Sequence, residues 1–155
     1  MKREWKERLE RLVGREIAIE YKACLYFCCI IFFYIAYLML RRIYVAEILA
    51  IWEIVLTAYV VSYIQVYLLH NFDEAERIGL KELLGSGTGT GIYAAAAWCF
   101  GWFEKNGWAL LFFVIYMMFV YFCVFLCNKI KRDIDTKNLN RLLAAYKGND
   151  RHEEE

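Results

Sequence analysis

WALLFFVIYMMFVYFCVFLCN, residues 108–128, carries no charged side chain, and Lys129-Ile130-Lys131-Arg132 follows it directly. A helix rises 1.5 Å per residue, so about 20 apolar residues cross the roughly 30 Å hydrocarbon core of a bilayer. This stretch meets that requirement and shows no alternation of the kind a membrane β-barrel strand needs. Working outward, Gly85–Phe103 and Ala23–Leu40 are also uncharged, and Ile43–Leu69 is interrupted only by Glu47 and Glu53. In lipid the backbone must satisfy its own hydrogen bonds, which favours helices. The expected fold is all-α: an integral membrane four-helix bundle with spans at 23–40, 43–69, 86–103 and 108–128. Residues 1–147 form a single membrane domain and 148–155 a polar tail.

The chain is 61% hydrophobic and 18% aromatic, above soluble usage, yet 24% charged, so the charges must be segregated. They crowd into the two ends and the middle loop. A net charge of +1 therefore says nothing in favour of nucleic acid: the basic residues are explained by orientation and anionic headgroups, and no direct nucleic-acid contact is expected. Met1–Lys22 holds seven Lys or Arg and five Glu, too long and too charged for a signal peptide. Trp5, Leu9, Leu12, Val13 and Ile17 recur at spacings of three and four, which predicts an amphipathic helix at the membrane surface before the first span.

Seven basic residues precede the first span and seven follow the fourth (Lys129, Lys131, Arg132, Lys137, Arg141, Lys147 and Arg151), against only Lys105 in the third loop. The positive-inside rule then puts both chain ends and the middle loop, His70–Leu84, in the cytoplasm. Trp102 and Trp108, flanking the Glu104–Gly107 turn, read as anchors on the outer face.

Cytoplasmic surface is thus available for a partner. Asn71 followed by Glu74 resembles a capping box, and Asp73 and Glu74 suit the first turn of a short surface helix from about Phe72 to Leu84. Beyond the fourth span, Ile130, Ile134, Leu142 and Tyr146 fall at multiples of four, with Leu139 and Leu143 beside them. A stripe of this kind needs an apolar neighbour, either the protein's own middle loop or a docked partner. Phe72, Asp73, Glu74, Ile134, Asp135, Leu139, Leu142, Leu143 and Tyr146 are the candidate partner-binding residues, and Gly148 is the expected end of the helix.

Gly101-Trp102-Phe103, the aromatic span with Phe112, Phe113, Tyr116 and Tyr121, then Lys131-Arg132-Asp133-Ile134-Asp135 and Leu139-Asn140-Arg141-Leu142-Leu143, make the chain resemble a bacterial family of small four-span membrane proteins, domain of unknown function 3021. The resemblance covers roughly residues 50–145. The first span departs from it, being rich in Cys, Phe and Tyr where the family pattern has Gly. The resemblance implies a membrane protein encoded beside a DNA-binding response regulator of the LytTR type. The function it implies is to bind and restrain or modulate that cytoplasmic transcription regulator.

Within the spans, Glu47, Glu53 and Gln65 are the polar residues of interest, because a carboxylate at membrane depth is costly and a functional candidate by default. Glu47 is shallow and can pair with Arg41 or Arg42. Glu53 is expected to face the bundle interior, either as a proton or cation relay or in a structural hydrogen bond to Tyr or Trp. A small proton- or cation-coupled transporter using Glu53 is the alternative function. Gly85–Gly91 matches no phosphate-binding motif, and no cofactor is expected. Gly87, Gly91 and Ala95, with Gly101 on a second face, offer small residues for close helix packing inside the bundle or in a homodimer. Cys24 and Cys28 on one span and Cys123 and Cys127 on another are i,i+4 pairs at similar depth. They can converge on zinc or a redox switch, or act as small hydrophobes. No nucleophile–base arrangement points to an enzyme.

Overall fold

The computed structural model describes residues 2–68 and 79–153, and these contain four helices and no strand. They are α1 (Lys2–Leu40), α2 (Ile48–Tyr67), α3 (Leu80–Phe100) and α4 (Gly107–Glu153). Each contributes one inward stripe at helical spacing: Tyr26, Ile30, Tyr34 and Tyr37 from α1; Ala50, Ile54, Ala58 and Val61 from α2; Tyr93 and Ala97 from α3; and Ala109, Phe113, Met117, Val120 and Tyr121 from α4. Neighbours in sequence pack side by side, and α4 closes the ring on α1 through Phe33, whose ring lies 5.3 Å from Phe113 and 5.1 Å from Tyr116.

Three helices are long and apolar enough to cross a membrane: Arg8–Leu40, Ile48–Tyr67 and Gly107–Ala144. α3 falls short of that apolarity, where four spans were expected. Its first half is Lys81, Glu82 and the alternation of Gly with Ser and Thr at 85–91, none of which contributes much hydropathy. Its 21 residues nevertheless reach about 31 Å, and it packs between α2 and α4. The glycine run does not interrupt α3, and two of its hydroxyls find acceptors on the helix itself. Ser86 donates to the Leu83 carbonyl at 2.9 Å and Thr88 to that of Leu84 at 2.7 Å.

The helix boundaries differ from expectation at four places. α3 runs unbroken from Leu80 to Phe100, where a surface helix ending at Leu84 and a separate span at 86–103 were expected. α2 begins at Ile48 after an extended Glu47 (φ −74, ψ 124), so 43–47 is a linker. α1 is one continuous 39-residue helix. With no proline and no paired glycines to kink it, its amphipathic first half runs into the apolar half without a break. α4 passes through Gly148 to Glu153.

The α1–α2 and α3–α4 connections meet at one end of the bundle, here called the loop end, and each is closed by a Schellman-type cap. Ile43 N–H bonds to the Leu38 carbonyl at 2.9 Å around Arg42 (φ 59), and Trp102 N–H to Ala97 at 3.1 Å around Gly101 (φ 75). Gly101 is therefore a helix-terminating residue, not the packing residue expected. Asn106 caps α4: its Oδ1 accepts from the N–H groups of Trp108 (3.0 Å) and Ala109 (3.4 Å).

Candidate functional site

Two surfaces are positioned to do something beyond packing, one at each end of the molecule. At the loop end, Glu47, Glu53 and Glu104 line a cavity of about 140 Å³ with Tyr34, Tyr37 and Trp102. The sharp turn after α3 makes this possible. Gly101 reverses the chain, and Glu104 and Lys105 both take left-handed conformations (φ 51 and 56) that cost a non-glycine residue about 1–2 kcal/mol each. Trp102 is thereby folded inward, 4% exposed, and its Nε1 donates to Glu53 Oε2 at 3.1 Å. Glu104 reaches back across the bundle to Arg41, whose Nη2 lies 2.7 Å from its Oε2. Tyr37 Oη donates to the Phe103 carbonyl at 3.2 Å, tying α1 to the α3–α4 turn a second time.

This geometry revises the roles read from sequence. Glu53 makes the indole hydrogen bond foreseen as its structural alternative. Because α2 starts late, it lies only about 8 Å from the helix start. Arg41 pairs with Glu104 and leaves Glu47 to the cavity rim. Trp102 is a core residue, while Trp108 alone of the two is exposed, at 73%. Glu104 was missed. The signal was available, since it is the one acid in the Glu104–Gly107 turn and faces the basic pair Arg41 and Arg42 of the other turn.

Below this layer lies a polar group buried among the helices. Gln65 is fully buried and its Nε2 donates to Tyr121 Oη at 2.6 Å, joining α2 to α4. Gly89 of α3 fits against this pair: a Cβ there would come 2.6 Å from Tyr121 Oη and 3.0 Å from Gln65 Nε2. Gly89, and not Gly87, Gly91 or Ala95, is the small residue of α3 that packs against this pair. A methyl added at Gly87 or Gly91 would meet nothing within 4 Å, and Ala95 is exposed. The three expected packing positions share the outward face of α3. Tyr26, Ser62, Tyr93 and Tyr121 were not expected to form a group. The usable signal was that Ser62 and Gln65 continue the four-residue stripe Ala50, Ile54, Ala58 into the core.

At the opposite end the tail of α4 leaves the bundle. Phe125 is its last buried side chain among the described residues, and the 28 residues from there to Glu153 extend about 40 Å. Along the tail, Ile130, Ile134, Leu139, Leu142, Leu143 and Tyr146 are between 50% and 70% exposed, and Asp135 is exposed beside them. Among the described residues nothing covers this stripe. Phe72, Asp73 and Glu74 lie outside the described residues. The two cysteine pairs do not converge: Cys24, Cys28 and Cys127 are exposed, and among the described residues no three of His, Cys, Asp and Glu come together as a ligand set.

Compared with known protein families, curated proteins and solved structures, the chain finds no match.

Proposed function

We propose that this protein is a membrane-bound regulator that docks a cytoplasmic LytTR-type transcription regulator on the tail of α4 and restrains or modulates it. In this reading the basic first half of α1, the 69–78 connection and the α4 tail lie on the cytoplasmic side of a bacterial inner membrane, and the Arg41–Glu104 end faces outward. The observation that carries the reading is the uncovered stripe Ile130, Ile134, Leu139, Leu142, Leu143 and Tyr146 on a helix that is continuous with a membrane-length segment. Burying three such side chains returns on the order of 5 kcal/mol before the cost of association. The LytTR identity rests on the family resemblance of the C-terminal half.

The test is a capture from native membranes, crosslinked before detergent and read by mass spectrometry. A LytTR regulator recovered with the unaltered chain, and lost when Ile134, Leu142 and Tyr146 are all changed to Ser, supports docking on the tail. Equal recovery with the triple variant moves the contact elsewhere, and recovery of no such regulator ends the proposal.

One observation favours a second reading, that of a cation-coupled transporter. The cavity between Glu47, Glu53 and Glu104 combines carboxylates with aromatic walls, as a cation entry site does. Glu53→Gln abolishes cation-driven flux in proteoliposomes if this reading is right, and leaves it untouched if Glu53 only anchors Trp102.

A further inference from the structure

Ser62 Oγ, Gln65 Oε1 and Tyr93 Oη have no hydrogen-bond partner, although all three residues are 0% exposed. Nearby hydroxyls on α3 are provided for. Ser86 bonds back to the Leu83 carbonyl, and Thr90 donates to Met118 Sδ at 3.4 Å. In lipid an orphaned polar group has no bulk water to fall back on, so three in one place require an explanation.

Helix spacing brings the three residues to one level of the bundle. Ser62 and Gln65 sit one turn apart on the inward face of α2. Gly89 of α3 lies against Gln65, and Tyr93 is one turn further along α3. Helical side chains lean toward their N-terminus, which carries the Tyr93 hydroxyl back toward the Gly89 level. Tyr26 fills the remaining side, its ring 6.4 Å from that of Tyr93 and 4.9 Å from that of Tyr121.

The donor count then selects the guest. Two of the three atoms are hydroxyls that can donate, and the third, Gln65 Oε1, can only accept. A single water accepts from Ser62 and Tyr93 and donates to Gln65, which gives it the three hydrogen bonds a buried water typically makes. A hard cation gathers about six oxygens, usually including carboxylates; here there are three neutral oxygens and no acid among the residues that form the group.

We propose that Ser62, Gln65 and Tyr93 form an internal binding site for one small neutral hydrogen-bonding molecule, water itself, which bridges α2 to α3 beside the Gln65–Tyr121 bond. The site is independent of the docking reading, since it lies inside the bundle and involves none of the tail residues.

Hydroxyl-radical labelling of the full chain in lipid nanodiscs, with rapid mixing into ¹⁸O-water, reads an ordered internal water directly. The expected result is a label at Tyr93 whose isotope exchanges more slowly than at the exposed Tyr44 and Tyr146. No label at Tyr93, or exchange as fast as at Tyr44, overturns the proposal. Stability supplies the second arm, through opposite signs. With a bridging water, Ser62→Ala and Tyr93→Phe each lower the unfolding midpoint by several degrees, and the double variant loses less than the sum. If the site is dry, either change removes an orphaned hydroxyl and the midpoint rises. A midpoint that depends on exchanging sodium for potassium or choline would overturn the choice of water in favour of a cation.

Discussion

The loop end and the layer around Gln65, near the other end of α2, both hold polar side chains and treat them in opposite ways. At the loop end each one is matched within the chain: Trp102 to Glu53, Tyr37 to the Phe103 carbonyl, Arg41 to Glu104, and Asn106 to the first amides of α4. Two turns are bent into left-handed conformations to achieve it. In the Gln65 layer, α2, α3 and α4 approach closely over Gly89, and Gln65 and Tyr121 complete their bond while Ser62 and Tyr93 do not. The two layers get their rigidity by different means. Turns can be reshaped until side chains meet, whereas regular helices fix the side-chain positions and leave mismatched polar atoms to be bridged.

The comparison breaks most visibly at Gly89. Gly89→Ala forces a methyl into Tyr121 Oη and is expected to destabilise by about 1–3 kcal/mol, as overpacking does. Tyr121→Phe in the same chain should recover part of the loss; unfolding in a mild detergent series measures both. The same substitution at Gly87 or Gly91, which face open space, is expected to be neutral or to stabilise by up to about 1 kcal/mol through helix propensity. A loss at Gly87 or Gly91 like that at Gly89 would place a partner helix on the outward face of α3.

Next in size is the cap of α3. Gly101→Ala puts a Cβ on a left-handed residue and should cost about 1–2 kcal/mol, and it should loosen Trp102, which tryptophan emission would report as a red shift. The smallest effect is at the ion pair. Arg41 and Glu104 are each 52% exposed, so Glu104→Ala is expected to lose at most about 1 kcal/mol, and less as salt is raised. A larger, salt-independent loss would mean that the turn depends on Glu104 for more than its charge.

How much of this could be read beforehand follows from the kind of signal involved. Continuous apolar runs set helix number and class, because span length is a count along the chain. The inward stripe of α2 was not read, although Ala50, Ile54 and Ala58 repeat at a helical period along one segment. On α3 the period failed. Gly87, Gly91 and Ala95 form one small-residue stripe and Gly85 and Gly89 another, and only the height of Tyr121 on α4 decides which faces in. That is a relation between two helices, which no single segment encodes. Glu104 was hidden in the same way, since its partner Arg41 is 63 residues away and the two meet only once both turns are formed.

The continuity of α4 has a mechanical consequence. A helix that is packed along its first half and bare along its second behaves as a lever with its fulcrum near Phe125. With an outer arm of about 40 Å, a tilt of about 5° within the bundle swings the far end by roughly 3.5 Å, about the width of a side-chain contact. Sub-ångström adjustments around Gln65 and Tyr121 are thus magnified at Tyr146 without any hinge in between.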